Sequence, residues 1–211
     1  MLQVKVCGMR EPANVAELAS IMPDWIGFIF YAPSSRYAGP TLSPQVIGSI
    51  PPTIRRTGVF VNAAVGEILD ICRASGLDAV QLHGNELPEI ARQLKEEGLV
   101  VIRTIHLASE KDLEQADAFA PFADYFLFDH PGPAYGGSGK KFDWSLLNGY
   151  QSPVPFFLSG GIGPEDAATL PGLSFKNLAG VDINSRFELS FGLKDIGKIK
   201  TFMETIKQHQ Q

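Results

Sequence analysis

The chain has 211 residues, of which 45% are hydrophobic and 19% charged, and its formal net charge is −5. This composition supplies one substantial core and too little charge for a disordered chain, so we expect a single domain spanning residues 1–211. The acidic balance argues against nucleic-acid partners. The apolar runs are too short for a bilayer and the N-terminus lacks a signal-peptide core, which predicts a cytoplasmic protein without membrane contacts.

Short β-rich segments recur along the chain, and each is followed by a stretch with helical character. This alternation predicts a parallel sheet with crossover helices, and eight strands predict a closed (βα)8 TIM barrel of the α/β class. An open doubly wound sheet is the alternative, but it fits eight strands in 211 residues less well. We expect the strands at about Gln3–Cys7, Trp25–Phe30, Arg56–Val61, Ala79–Leu82, Val100–Ile105, Tyr125–Asp129, Pro155–Ser159 and Gly180–Ile183.

Several intervening segments carry apolar residues at helical spacing, most clearly Val65–Cys72 and Leu87–Leu94. Cys72 lies on the apolar stripe of the first of these, so we assign it to the core. The last helix is expected at about Lys194–Lys207. Prolines that stand in predicted first turns are Pro12, Pro44, Pro88 and Pro164.

Two connections are longer than a barrel requires, namely Ala32–Ser43 after the second strand and His130–Phe142 after the sixth. Both follow the carboxyl ends of strands, which form the catalytic face of such barrels. We therefore expect these loops to cover a bound substrate.

Strand alternation predicts which side chains point into the barrel. Lys5 and Cys7 share one face of the first strand, Gln81 and His83 share one face of the fourth, and Asp129 ends the sixth. Each has a structural explanation as well: a small buried thiol, a satisfied polar group near the barrel mouth, or a solvated carboxylate. The pattern alone leaves both readings open.

Two glycine-rich or polar turns follow the last two strands, at Ser159–Gly163 and Asp182–Ser185. Turns at these positions bind phosphate through backbone N–H groups in many barrels, so we expect a phosphate site here. The glycine-rich segment Tyr135–Lys140 lacks the spacing of a nucleotide-binding loop, and no metal-ligand spacing emerges. The sequence therefore predicts neither a nucleotide cofactor nor a metal.

Several segments, taken in order, resemble the phosphoribosylanthranilate isomerase family along almost the whole chain. They are Lys5–Met9, Gly27–Tyr31 with Ser34–Tyr37, Gly58–Asn62, Gln81–Gly84, Gly136–Lys140 with Phe142–Trp144, Leu158–Ile162 and Gly180–Asp182. The resemblance implies an isomerase of tryptophan biosynthesis that needs no cofactor. Its reaction is the Amadori rearrangement of N-(5-phosphoribosyl)anthranilate to 1-(2-carboxyphenylamino)-1-deoxyribulose 5-phosphate.

The resemblance also implies catalytic roles for two residues. Asp129 would be the general acid that protonates the ring oxygen, and Cys7 the general base that removes the C2 proton. Cys7 would have to be substantially thiolate, which Lys5 on the same strand would favour.

Binding roles are implied in the same way. Arg36 would bind the anthranilate carboxylate, Asp182 would accept a hydrogen bond from the anthranilate nitrogen, and His83 would line the site. Without the resemblance, Arg36 would be taken for a surface ion pair and Asp182 for a helix cap. The phosphate would rest on Gly160, Gly161, Asn184 and Ser185.

The chain departs from the commoner family pattern after the eighth strand, where Arg186 occupies a glycine position. An added arginine there would reinforce anion binding. Two other functions stay open: a related histidine-pathway isomerase, which would carry an aspartate in place of Cys7, and a non-catalytic barrel that binds phosphorylated metabolites. The partner is expected to be a small phosphorylated substrate, and the chain a monomer or a homodimer.

Overall fold

In the computed structural model, which describes residues 1–131 and 141–209, eight parallel strands close into a barrel. The strands follow one another in chain order, and the last pairs with the first, with Lys5 beside Asp182. The (βα)8 barrel is thus confirmed and the open doubly wound sheet is wrong. The strands are β1 Gln3–Val6, β2 Trp25–Ile29, β3 Arg55–Phe60, β4 Ala79–Leu82, β5 Val100–His106, β6 Tyr125–Asp129, β7 Phe156–Leu158 and β8 Leu178–Ile183.

Six α-helices lie among the described residues: α1 Pro12–Ser20, α2 Pro44–Gly48, α3 Val65–Ser75, α4 Pro88–Glu96, α5 Gln115–Phe119 and α6 Ile196–Gln208. A proline opens α1, α2 and α4 as expected, because its missing N–H has no partner in a first turn. None of the helices in the described part of the chain has the length and apolarity needed to span a bilayer.

The last helix begins two residues later than the sequence predicts. The side chain of Asp195 accepts a hydrogen bond from the backbone N–H of Lys198 and so caps α6 at its first turn. Lys194 instead ends a two-stranded hairpin that follows β8, formed by β9 Glu188–Ser190 and β10 Leu193–Lys194.

The expectation of a helix after every strand is wrong for two units. The described residues after β6 and β7 form only 3-10 turns, at Trp144–Gly149, Pro164–Asp166 and Leu170–Gly172. Aromatic side chains cover the outside of these strands. The ring of Tyr150 meets those of Phe126, Phe128 and Phe156 at centroid distances of 6.2, 5.2 and 5.3 Å, and its hydroxyl donates to the carbonyl of Val154 at 2.6 Å.

The barrel interior is filled from below by an apolar layer that supports the catalytic face. This layer consists of Trp25, Ala79, Ile102, Leu127 and Phe157, all buried. The rings of Trp25 and Phe157 meet edge to face at 5.4 Å. A second small cluster, Cys7, Ile29 and Val59, lies nearer the carboxyl ends of the strands. The polar groups at the carboxyl ends of the strands therefore stand above a packed apolar floor.

Candidate active site

Lys5 and Asp182 form a buried ion pair at the centre of the catalytic face. They are register partners on β1 and β8, and the Lys5 Nζ donates to Asp182 Oδ1 at 2.8 Å. The Lys5 side chain has no exposed surface. Burial alone would lower the pKa of Lys5, but Asp182 and Cys7 outweigh it and raise the pKa, so Lys5 stays protonated.

Cys7 lies just past the end of β1 and is 4% exposed. Burial raises the pKa of its thiol, while Lys5 and Lys194 act in the opposite direction. Lys5 therefore favours the thiolate as expected, but burial is the larger effect. The unliganded protein therefore favours the thiol form of Cys7 over the thiolate.

The sulfur of Cys7 is packed against a glycine on the neighbouring strand. A Cβ added at Gly27 would lie 2.9 Å from Cys7 Sγ, closer than real Cβ atoms approach. The absence of a side chain at Gly27 therefore leaves the space that the Cys7 sulfur occupies.

Asp129 ends β6 and carries a carboxyl group with a raised pKa. Burial raises this pKa to about 6, although the hydrogen bond from the His130 backbone N–H to Asp129 Oδ1, at 2.8 Å, opposes the shift. The carboxyl lies against the loop after β7, because a Cβ at Gly160 would come within 3.1 Å of Asp129 Oδ1. A carboxyl with this pKa has a proton to give near neutral pH.

His83 faces Asp129 from the end of β4. Its Nε2 lies 4.0 Å from Asp129 Oδ2 and has no hydrogen-bond partner among the described residues. Its Nδ1 lies 3.0 Å from both the Gln81 amide nitrogen and the Thr104 hydroxyl. Burial, with lesser contributions from nearby cations, lowers the pKa of His83 to about 3, so the ring is neutral.

Arg36, from the loop after β2, forms a buried two-pronged ion pair with Glu188. Its Nε and Nη2 donate to the two carboxylate oxygens at 2.8 and 2.7 Å. The side chains are 7% and 6% exposed. The alternative interpretation of Arg36 as a surface ion pair is therefore wrong: Arg36 does form an ion pair, but the pair is buried within the catalytic face.

The predicted phosphate residues follow the ends of two neighbouring strands, β7 and β8. Gly160 and Gly161 both have positive φ, at 80° and 68°, which side chains other than glycine rarely adopt. Asn184 accepts a hydrogen bond from Lys194 Nζ at 2.6 Å, and Ser185 opens the 3-10 turn Ser185–Phe187. Asp182 is paired with Lys5 in the strand and does not cap a helix.

Arg186 forms a surface ion pair with Glu165, in the turn that follows β7. It therefore links the two loops in which the phosphate site is predicted.

Cys72 is buried on α3 as predicted, and burial raises the pKa of its thiol to about 12. Most of the predicted covering loop His130–Phe142, with its glycine-rich segment Tyr135–Lys140, lies outside the described residues.

Sequence reasoning missed the buried charged residues behind the site. Glu188 and Lys194 lie beside Arg36 and Asn184, and Lys194 had been assigned to the final helix. Glu86 accepts hydrogen bonds from the backbone N–H groups of Asn62 and Gly84 and from Arg103. In the sequence these residues cannot be distinguished from ordinary surface charges, because the partners that bury them are distant along the chain.

Comparison with known proteins places this arrangement in a family. The sequence profile described as N-(5'phosphoribosyl)anthranilate (PRA) isomerase matches residues 4–205. The chain belongs to the phosphoribosylanthranilate isomerase family. It is 44% identical over 205 residues to the N-(5'-phosphoribosyl)anthranilate isomerase of Parabacteroides distasonis, covering 96% of this chain and 92% of that protein. Identity to the enzyme of Phocaeicola vulgatus is 42% over 208 residues, covering 99% of both.

Solved structures of phosphoribosylanthranilate isomerases share the fold. The crystal structure of the Thermotoga maritima enzyme matches with a TM-score of 0.83 and 35% identity, covering 99% of this chain and 100% of that one. A phosphoribosylanthranilate isomerase in complex with reduced 1-(o-carboxyphenylamino)-1-deoxyribulose 5-phosphate matches with a TM-score of 0.80 and 31% identity, with the same coverage. The relatives are isomerases, and this chain is an isomerase of the same family.

Proposed function

We propose that the chain converts N-(5-phosphoribosyl)anthranilate into 1-(2-carboxyphenylamino)-1-deoxyribulose 5-phosphate, with Asp129 as general acid and Cys7 as general base. The observation that carries this proposal is the placement of both groups at the carboxyl ends of barrel strands, where the Lys5–Asp182 ion pair acts on the charge of each of them. The reaction moves protons only, so an acid and a base suffice and no cofactor or metal is expected.

The proposed first step is opening of the ribose ring. Asp129, whose pKa is raised to about 6, donates a proton to the ring oxygen while the anthranilate nitrogen forms a Schiff base. Neutral His83, whose Nε2 faces the carboxyl at 4.0 Å, lines this part of the site and adds no charge that would hold Asp129 ionised. Burial by a bound substrate would favour the protonated acid further.

The proposed second step is removal of the C2 proton by Cys7, which gives an enolamine that tautomerises to the ketone. Only the thiolate can act as this base. Lys5 and Lys194 favour the thiolate, and the cationic Schiff base formed in the first step adds a further positive charge beside it. We therefore expect Cys7 to ionise in the substrate complex rather than in the free protein.

The proposed binding roles follow the charges of the substrate. The Arg36 guanidinium binds the aromatic carboxylate, and Asp182 accepts a hydrogen bond from the anthranilate nitrogen. The phosphate binds at Gly160, Gly161, Asn184 and Ser185, of which Asn184 is linked to the Arg36–Glu188 pair through Lys194. We expect the whole chain to form one catalytic domain that acts in the cytoplasm as a monomer or a homodimer.

A histidine-pathway isomerase activity is disfavoured by the thiol at position 7, where that reading requires a carboxylate. A barrel that only binds phosphorylated metabolites would not need Cys7. The three hypotheses are tested together by measuring turnover of freshly prepared phosphoribosylanthranilate, which is monitored through the loss of its fluorescence.

We expect the wild-type protein to consume the substrate, and Cys7→Ser and Asp129→Asn to lose most of kcat while they still bind the reduced product analogue. The matched control is Cys72→Ser, which changes the other buried thiol on α3. Folded wild-type protein that fails to turn over would refute the proposed function. Wild-type turnover with Cys7→Ser fully active would refute the assignment of the base alone.

A further inference from the structure

Glu188 accepts four hydrogen bonds beside the proposed substrate site. Its Oε1 accepts hydrogen bonds from Arg36 Nε at 2.8 Å, from Lys194 Nζ at 2.8 Å and from the backbone N–H of Gly192 at 3.1 Å. Its Oε2 accepts from Arg36 Nη2 at 2.7 Å. The carboxylate therefore joins the loop after β2 to both ends of the β9–β10 hairpin.

These contacts determine which part of the Arg36 guanidinium is available to a ligand. A guanidinium carries five N–H donors in one plane. Glu188 occupies the Nε–H and one Nη2–H, and within the described residues Nη1 makes no hydrogen bond. The edge formed by Nη1 and the second Nη2–H is left, and this edge matches the two oxygens of a carboxylate.

The hairpin also covers one face of the guanidinium. The Arg36 Cζ lies 5.1 Å from the centroid of the Phe191 ring. Gly192, with φ at +79°, allows the hairpin tip to pack against the Arg10 side chain. Arg36 is thus fixed on one edge by Glu188 and bounded on one face by Phe191.

The charge of Glu188 does not cancel the attraction of Arg36 for a further anion. The hydrogen bonds from Arg36 and the charge of Lys194 outweigh burial and lower the pKa of Glu188, so the carboxyl is ionised. It is shared between a guanidinium and a buried ammonium, so neither cation has the carboxylate to itself.

We propose that Glu188 is a positioning residue that orients Arg36 so that one edge of its guanidinium receives the aromatic carboxylate of the substrate. This inference rests on the proposed function, since it assigns that carboxylate to Arg36. Glu188 does not touch the substrate; it acts through the arginine. This role requires both carboxylate oxygens to accept hydrogen bonds from Arg36, and it requires the length of a glutamate side chain to bring them there.

Two substitutions separate positioning from mere charge balance. In Glu188→Gln the amide nitrogen must face at least one of the four N–H donors, which displaces Arg36 or the hairpin. Glu188→Asp keeps the charge but shortens the side chain by one methylene, so it cannot keep every contact. A charge-balancing role predicts that the aspartate restores wild-type behaviour, whereas a positioning role predicts that it does not.

The experiment measures equilibrium binding of reduced 1-(o-carboxyphenylamino)-1-deoxyribulose 5-phosphate and, separately, of inorganic phosphate. We expect both variants to bind the analogue roughly tenfold more weakly, or worse, and to lose clearly less affinity for inorganic phosphate, which Glu188 reaches only through Lys194 and Asn184. In turnover, KM should rise by more than kcat falls. The matched control is Glu97→Gln, which disrupts the exposed Arg73–Glu97 pair and should change none of these quantities.

The possible results are distinguishable. Folded Glu188→Asp with wild-type affinity for the analogue would overturn the positioning role, and it decides the matter if Glu188→Gln does not fold. Equal losses for the analogue and for inorganic phosphate would also overturn it, because they would show that Glu188 acts through Lys194 and Asn184 rather than through Arg36. A wild type that binds phosphate but not the analogue would instead overturn the proposed function itself.

Discussion

His83 and Asp129 face each other across 4.0 Å at the ends of β4 and β6, and their pKa values are shifted in opposite directions. Burial lowers the pKa of the imidazole to about 3 and raises that of the carboxyl to about 6, because both charged forms are costly away from water. Both groups therefore favour their neutral forms. Each shift makes the stability of the protein depend on pH.

Replacing Asp129 by Asn should stabilise the protein at neutral pH. The folded-state pKa of about 6 lies above the unfolded value of 3.8, so the wild type loses stability as pH rises through this interval. The difference corresponds to about 3 kcal/mol at pH 7 and vanishes below about pH 4. Urea unfolding at both pH values measures it. Asp117→Asn, on the exposed side of α5, is the control, and an Asp129→Asn variant less stable than wild type at pH 7 would contradict the prediction.

His83 should contribute to acid unfolding. Its folded-state pKa of about 3 lies below the ordinary value of 6.5, so stability that is present above pH 6.5 is lost as pH falls towards 3. The loss is about 5 kcal/mol at most. We expect His83→Asn to flatten the dependence of the unfolding free energy on pH in this range. The exposed His209→Asn should leave the slope unchanged, and equal slopes for wild type and His83→Asn would contradict the expectation.

Gly27→Ala should impair catalysis through the position of the thiol. The added methyl would lie 2.9 Å from Cys7 Sγ, so either the sulfur or β2 must move. Since small displacements of reacting groups are costly, we expect kcat to fall roughly tenfold or more, with a loss of stability of about 1–3 kcal/mol. Gly48→Ala, where the added methyl meets nothing within 4 Å, is the matched control. Unchanged kcat would show either that Cys7 is not the base or that β2 shifts to accommodate the methyl without displacing the Cys7 sulfur.

Phe157→Ala should destabilise the barrel floor by about 3–5 kcal/mol, because the ring is fully buried against Trp25. The comparison is Leu189→Ala in the β9–β10 hairpin, where the side chain is 66% exposed and the change should stay within about 0.5 kcal/mol. Thermal or urea unfolding measures both. A loss for Phe157→Ala as small as that for Leu189→Ala would mean that the floor repacks.

The strands and their facing were predictable from the sequence, because alternation and local apolar character are short-range signals. Lys5, Cys7 and Asp129 lie inward for this reason. Pairings across the chain were not predictable. Glu188 and Arg36 are 152 residues apart, and only barrel closure brings them together. The helix that was expected after β7 is absent from the described residues for a different reason, since Pro171 has no N–H with which to continue a helix begun at Pro164, and only 3-10 turns form there.

The aromatic cover over β6 and β7 means that, in the described part of the chain, this side of the barrel is enclosed by rings rather than by helix backbone. A helix packed on a strand covers it along its whole length. Tyr150 covers only part of β6 and β7, through one side chain whose hydroxyl donates to the Val154 carbonyl. Hydrogen exchange should therefore reach the amides of these strands through smaller local openings than on the side of α3 and α4. The strand that carries Asp129, which pairs with β5 and β7, is thus expected to belong to the part of the wall that opens most readily.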